Sequence, residues 1–175
     1  MIMEIKSLVS FLKYYENIRN RTLRVVGVIP PEHLEWSFRE GKFTIGDQVR
    51  HIAITGRYMF AKTIAGRPSA YGGCGSKFAD GYDNVVQFFN DLHGESVEIF
   101  QSLSDDDLNR KCLTPGNCVM PVWKWLRAMV EHEVHHRAQI YLYLSILGVS
   151  TPPIFGLSSE EVIEYTERTK SNSYG

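Results

Sequence analysis

The sequence predicts an all-α protein, an antiparallel four-helix bundle with a short additional C-terminal helix. Apolar residues recur at alternating steps of three and four in four long segments, which is the spacing of helices that pack in a bundle. Strand signals are nearly absent, and the sequence contains no internal repeat. A chain of 175 residues with 43% hydrophobic content is long enough for one domain with a sizeable core.

The first two helices are recognised by their apolar stripe and by their ends. Pro30 and Pro31 end the first helix, because proline cannot continue one. Thr44 and Asp47 have the spacing of a capping box, so the second helix begins there and runs to about Gly66. The stripe of the first helix consists of Leu8, Phe11, Tyr15, Ile18, Thr22 and Val25.

Residues 68–81 separate the second helix from the third and are too rich in glycine for a regular element. We interpret them as a long crossover loop that could carry part of a binding site. The third helix ends near Ser104. Its stripe consists of Val85, Phe89, Leu92, Ser96, Ile99 and Leu103.

The fourth helix is predicted from Pro121, which suits a first helical position, to Gly148, which suits a stop. Residues 1–150 therefore form the bundle. Residues 151–175 form a C-terminal extension, in which a short helix from about Ser158 to Thr169 packs on the same domain.

Composition excludes several classes of function. The net charge is -1, and no Lys/Arg cluster with interleaved aromatic residues is available to bind nucleic acid. The sequence shows neither a secretory h-region nor a stretch of membrane-spanning length, so we expect no membrane association. Three cysteines, Cys74, Cys112 and Cys118, are an odd number without an export signal, which favours reduced thiols in a cytoplasmic protein.

The most informative residues are the histidines of the fourth helix. His132 and His136 fall on the predicted seam of that helix, together with Trp125, Met129, Tyr143 and Leu147. A neutral imidazole is the commonest protein metal ligand, so two on one helical face suggest a metal site.

The other histidines differ in how well they could join that pair. His51, in the middle of the second helix, is the natural third ligand because it can face the bundle interior. His135 lies to the side of the seam and is the weaker candidate. We expect His33 and His93 to be solvated.

Three imidazoles fit a catalytic zinc-type site, which commonly uses three protein ligands and leaves a position for water or substrate. Zn and Ni are the divalent ions that we expect first, although Fe or Cu would also suit. The plain alternative is that the histidines are hydrogen-bonded core residues. A di-iron site is disfavoured because it needs a second Glu-x-x-His copy, which the sequence lacks.

His132-Glu133-x-x-His136 also matches the signature of zinc metallopeptidases, in which the glutamate activates water. Such enzymes bind substrate along a strand edge, and no sheet is predicted here. The third ligand would also have to be a glutamate of the extension: Glu160, Glu161, Glu164 or Glu167. The peptidase is therefore the weaker alternative.

With Trp36, His51 and the run Glu-His-Glu-Val-His-His-Arg-Ala-Gln at 131–139, the chain resembles the DinB (DNA-damage-inducible) superfamily, which includes the YfiT-like metalloenzymes. The resemblance covers about residues 4–150. Its most specific part is the pattern His-acidic-x-x-His-x-x-Gln in the last long helix. It implies a four-helix bundle, often dimeric, with His51, His132 and His136 as ligands of a divalent metal.

The resemblance also implies a function, since some members of the superfamily are transferases or isomerases that use bacillithiol, mycothiol or glutathione. We therefore expect a metal-dependent enzyme for a small-molecule substrate, with a low-molecular-weight thiol as its second cofactor. The alternative is a non-catalytic metal-binding or dimerisation module. Tyr58, Trp125 and Tyr143 are the aromatic residues expected to line a substrate pocket.

Two residues beside the histidines have open roles. Glu133 is a candidate proton acceptor in catalysis, or else a solvated carboxylate on the flank of the helix. Gln139 could orient a ligand or simply fill the seam.

Overall fold

The computed structural model describes residues 4–172, and it confirms an all-α four-helix bundle with an additional C-terminal helix. The second helix is continuous but changes type, from α-helix over Ile45–Ile54 to π-helix over Thr55–Ala61 and back to α-helix over Lys62–Ile64; we call the three segments together α2. The remaining helices are α1 (Leu8–Val26), α3 (Tyr82–Gln101), α4 (Val122–Ile146) and α5 (Ser159–Asn172).

Each bundle helix packs mainly on two others, because α1 and α2 each lie against both α3 and α4. One apolar cluster unites the end of α1, the start of α2, the start of α3 and the end of α4. A second cluster unites the opposite ends of the same helices. Hence α1 and α4 run in one direction, and α2 and α3 run in the other.

A polar layer separates the two apolar clusters at the middle of the bundle. Each of the four bundle helices contributes to it: α1 supplies Arg19 and Thr22, α2 supplies Thr55, α3 supplies Ser96 and α4 supplies Glu133. All five side chains are buried. Because buried polar groups are costly unless they have partners, this layer is the level at which a specific arrangement of side chains is enforced.

The predicted capping box is confirmed, since the Thr44 hydroxyl accepts a bond from the Asp47 amide at 2.9 Å and the Asp47 carboxylate accepts one from the Thr44 amide at 3.1 Å. These bonds satisfy donors that a helix start leaves free. The start of α2, and with it His51, is thereby fixed relative to the preceding loop.

The glycine-rich segment between α2 and α3 is a crossover loop, as predicted. Because α2 and α3 run in the same direction, the chain must return along the bundle between them. Arg50 holds the returning chain: its Nε donates to the carbonyl of Cys74 at 2.8 Å and its Nη1 to that of Ala79 at 3.0 Å. Glu35 and Asp47 accept from the same guanidinium, so this buried charge is fully paired.

A short antiparallel hairpin precedes α4 and pairs Lys111–Leu113 (β1) with Val119–Pro121 (β2), register Lys111↔Pro121. Over residues 4–172 these are the only strands, so no sheet underlies the histidines as the peptidase interpretation would require. Within the same range, no helix is long and apolar enough to cross a bilayer.

The C-terminal extension meets the bundle through the segment before α5. Arg24 donates to the Ile154 carbonyl at 2.7 Å, and the Arg21 guanidinium lies 5.0 Å from the centre of the Phe155 ring. The described side chains of α5, up to residue 169, are exposed. The division into residues 1–150 and 151–175, the packing of this helix on the bundle, and the homodimer stay predictions.

Candidate metal centre

Three half-buried imidazoles, those of His51, His132 and His136, converge between α2 and α4. One ring nitrogen from each lies within 4.8 Å of the other two, and the Nε2 atoms of His51 and His132 are 3.1 Å apart. Nitrogens bound to zinc at about 2.1 Å with tetrahedral angles would be about 3.4 Å apart. The spacing therefore fits a single divalent ion held by all three rings.

Hydrogen bonds on the far side of the rings fix their orientation. The Nδ1 atom of His136 is 2.5 Å from the amide oxygen of Gln48 and 3.0 Å from that of Gln139. Two acceptors require the proton to be on Nδ1, which leaves the Nε2 lone pair free to bind a metal. Such partners behind a ligating imidazole set its tautomer and raise its basicity.

Burial keeps these rings neutral, which is the state that binds metal. It lowers the pKa of His51 to about 4, with a further contribution from His136. It lowers the pKa of His132 to about 3, helped by the neighbouring histidines, and it also lowers that of His136. At neutral pH all three lone pairs are therefore available.

Tyr71 is a site residue that sequence reasoning missed. It lies in the crossover loop, and its hydroxyl is 2.9 Å from Nδ1 of His51. Burial and the neighbouring Cys74 thiol raise the pKa of Tyr71 to about 12, so the phenol keeps its proton. Only the prediction that the loop carries part of a binding site pointed in this direction, since no spacing along the chain connects Tyr71 with His51.

Aromatic side chains surround the imidazoles. The Phe43 ring centre is 5.2 Å from that of His51, and the Phe60 ring centre is 5.7 Å from that of His132. Trp125, which was expected to line a pocket, packs on Phe60 at 4.4 Å. Its indole donates to the Thr63 hydroxyl at 2.8 Å, so its polar end is already engaged.

The other two expected pocket residues, Tyr58 and Tyr143, belong to the apolar cluster at the start of α2. Tyr143 is packed edge-on between Trp36 and Phe38. Its connection to the imidazoles is indirect, since it hydrogen-bonds Gln48, which in turn accepts from His136. A role for these residues in lining a substrate pocket stays a prediction.

Glu133 lies on the other side of α4 from the imidazoles. Its carboxylate accepts a hydrogen bond from Thr22 of α1 at 2.7 Å, and the residue is only 2% exposed. Burial raises its pKa, and the guanidinium groups of Arg19 and Arg137 oppose that effect. The alternative of a solvated carboxylate on the helix flank is therefore wrong. The role of Glu133 as a proton acceptor stays a prediction, because the described contacts of its carboxylate do not include the three imidazoles.

Met129 and Tyr143 of the predicted α4 seam are buried as expected, but the centre of the buried face is displaced by about one residue. Its deepest stripe runs through Leu126, Val130, Glu133, Arg137 and Ile140, whereas the two histidines lie at its edge. The displacement places them beside α2 and open to solvent on one side. A ligand can reach such an edge position directly from solvent.

The remaining histidines differ from one another. His135 is exposed and accepts a hydrogen bond from the Gln139 amide at 3.0 Å, so it lies outside the converging group, as predicted. Gln139 thus bridges His135 and His136, which fits the ligand-orienting alternative. The solvated assignment was wrong for His93, whose side chain is only 12% exposed and packs on Tyr15.

The three cysteines are free, as predicted. Cys74 and Cys112 are buried, and Cys118 is exposed in the hairpin. The Cys74 side chain hydrogen-bonds Tyr71, and burial raises the pKa of its thiol. None of the three belongs to the converging group.

Comparison with solved structures shows the same fold in other proteins. A DinB-like protein from Bacillus cereus is 19% identical and has a TM-score of 0.71 over 85% of this chain and 97% of its own. YfiT from Bacillus subtilis, described as a probable metal-dependent hydrolase with an unusual four-helix bundle topology, is 19% identical, with a TM-score of 0.64 over 82% of this chain and 89% of its own.

A more distant likeness is to a mycothiol-dependent maleylpyruvate isomerase. It is 17% identical, with a TM-score of 0.53 over 76% of this chain and 60% of that protein. A comparison with curated protein sequences gave no match.

Fold and site together define a helical-bundle protein with a three-histidine centre that could hold a metal. The family model of the DinB superfamily matches residues 14–140, which is most of the chain and includes all three histidines. The chain belongs to the DinB superfamily, in agreement with the resemblance seen in its sequence.

Proposed function

We propose that this protein is a divalent-metal-dependent enzyme that joins a low-molecular-weight thiol to an electrophilic organic substrate. The observation that carries the proposal is the convergence of His51, His132 and His136 within 4.8 Å on a half-buried edge of the bundle. Histidines that only fill a core are satisfied by unrelated neighbours, whereas here ring nitrogens of three imidazoles face one another.

The composition of the centre supports an enzyme over a structural metal site. Among residues 4–172, the group of side chains that could hold a metal contains three ligands. Structural zinc sites are typically closed by four protein ligands, and catalytic sites keep one position open. With three protein ligands, a fourth position would be left for water or substrate, which a structural metal site does not need.

The residues of this chain prepare the centre in separate ways. Gln48 and Gln139 hold the proton of His136 on Nδ1, and Tyr71 supports His51 from the crossover loop. A divalent cation at this centre would supply a Lewis acid that lowers the pKa of a coordinated thiol or water.

The preference for a thiol over water rests on relatives. The isomerase with the same fold is mycothiol-dependent, whereas YfiT is described as a probable hydrolase. Cytoplasmic conditions, which the free cysteines favour, would keep a small thiol reduced. Water as the nucleophile is the second candidate, and the experiment below separates the two.

The test begins with metal analysis of tag-free protein, because a His tag would itself bind metal. Metal-loaded protein is then given chlorodinitrobenzene with bacillithiol, mycothiol or glutathione. The thiol sulfur forms a bond to the ring carbon, chloride leaves, and the thiol proton passes to buffer, so product is followed by absorbance.

We expect wild type and His135→Ala to form the conjugate at least about tenfold faster than His132→Ala with one of the thiols. Equal rates for all three proteins with every thiol would overturn thiol transfer. Metal-dependent hydrolysis of an activated ester by wild type but not by His132→Ala would then favour water as the nucleophile.

A further inference from the structure

We infer that Phe43 and Tyr71 form an aromatic clamp beside the metal centre that binds a planar, unsaturated or aromatic part of the ligand. The inference deepens the proposed function, because it rests on a ligand whose donor atom occupies the open coordination position. The clamp indicates the chemical class of the part of the ligand that does not bind the metal, which the three histidines do not specify.

Two aromatic rings flank His51 from different loops. Their ring centres lie 5.2 Å (Phe43) and 5.4 Å (Tyr71) from that of His51, and each residue is 38% exposed. Both rings therefore pack beside the His51 imidazole and leave part of their own surface exposed. Continuity with the metal centre makes this surface part of the same site.

The Tyr71 side chain and the backbone beside Phe43 are held in place although both residues are exposed. Phe43 directly precedes Thr44, whose backbone and hydroxyl are fixed in the capping box with Asp47. Tyr71 is held by its hydroxyl on His51, and the amide of the adjacent Ala70 donates to the Tyr58 carbonyl at 2.8 Å. Preorganised rings bind at a lower entropic cost than flexible surface side chains do.

The size of the surface favours a small ligand over a protein partner. Stable protein interfaces bury about 800 Å² on each side, far more than two half-exposed rings can offer. Small-molecule sites instead combine aromatic walls with a few polar groups that fix orientation. Offset or edge-on contact with a planar group suits the two rings, which stand at 55° and 87° to the His51 imidazole.

The experiment compares two metal-chelating probes that differ only in their organic part. Acetohydroxamate and benzohydroxamate present the same donor atoms, and benzohydroxamate adds a phenyl ring. Their affinities for the Co²⁺-loaded protein are measured from the visible spectrum of the cation. The proteins are wild type, Phe43→Ala and the control Phe155→Ala, which removes a remote ring that is 81% exposed.

We expect Phe43→Ala to reduce the ratio of benzohydroxamate to acetohydroxamate affinity about fivefold relative to wild type, as loss of an aromatic contact does. Phe155→Ala should leave the ratio unchanged. The intrinsic difference between the probes is common to all the proteins and cancels. A variant that loses Co²⁺ would be replaced by Phe43→Leu, which keeps apolar bulk without the ring.

The outcomes separate the clamp from the metal centre. An unchanged ratio in Phe43→Ala, with both probes still bound, would overturn the clamp and leave the proposed function intact. Failure of both probes to bind wild type that holds Co²⁺ would overturn the open coordination position, and the clamp with it. An equal loss in Phe155→Ala would also overturn the clamp, because the effect would not be local.

Discussion

The two sides of α4 carry polar side chains with opposite roles. On the side facing α2, His132 and His136 are half-buried, neutral and directed at the imidazole of His51. On the side facing α1, Glu133 and Arg137 are buried and ionisable, and they bond to groups of α1. Adjacent residues of one helix thus serve two different sites.

The difference lies in what each group leaves unsatisfied. The Glu133 carboxylate accepts from Thr22 and lies near two guanidinium groups, so its surroundings are complete. The imidazoles are satisfied at Nδ1 in His51 and His136 and have only each other at the centre. A ligand is therefore expected on the α2 side, and a structural function on the α1 side.

The largest expected effect is on the α2 side. Replacing His51 with Ala should abolish stoichiometric metal, because two imidazoles hold a divalent ion far more weakly than three. His135→Ala is the matched control and should keep most of its metal, since this ring is outside the converging group. Elemental analysis of dialysed, tag-free proteins measures both, and the reverse result would overturn the ligand assignment.

On the α1 side, Glu133→Ala should lower the free energy of unfolding by about 3 kcal/mol, because the buried positive charges of Arg19 and Arg137 lose their nearby anion. Urea denaturation gives this value. The folded fraction should retain stoichiometric metal.

Glu133→Gln separates a structural role of Glu133 from a catalytic one, since glutamine keeps the shape of the side chain and can accept the hydrogen bond from Thr22. If this variant is stable and binds metal but is inactive in the thiol assay, Glu133 acts as the proton acceptor after all. Activity close to that of wild type would establish the structural role.

The pH dependence of stability should reveal the burial of His93 near Arg19 of the polar layer, because burial and then Arg19 lower the pKa of His93 to about 4. The unfolded chain takes up a proton as the pH falls through about 6.5, whereas the folded chain resists it, so stability is lost between about pH 6.5 and pH 4. His93→Gln should lose about 2 kcal/mol less than wild type over that interval. Denaturation of wild type and His93→Gln at a series of pH values measures the two losses of stability. Equal losses in the two proteins would contradict the prediction.

The smallest expected effect concerns the support of His51. Tyr71→Phe keeps the ring and removes the hydroxyl that contacts Nδ1, and it should weaken metal binding about tenfold. Tyr165→Phe, on an exposed position of α5, is the control. Competition with a chromogenic chelator measures the affinity, and an unchanged value for Tyr71→Phe would show that the hydroxyl does not tune the site.

Much of the fold could be predicted because its signals are local. The stripe from Leu8 to Val25 is buried as expected, and the capping box at Thr44 starts α2 where the sequence places it. The i, i+4 spacing of His132 and His136 places them on one helical face whatever the tertiary structure. The position of His51 within a second amphipathic helix was enough to choose it as their partner.

The sequence by itself therefore determined the helices, their caps and the histidines that share a face, because these depend on residues three or four apart. Only the tertiary structure decided that Tyr71 reaches His51, since the crossover loop is positioned by Arg50 through the distant carbonyls of Cys74 and Ala79. It also decided that Glu133 faces α1. The orientation of α4 about its own axis depends on packing against α1 and α2, and spacing along one helix cannot specify it.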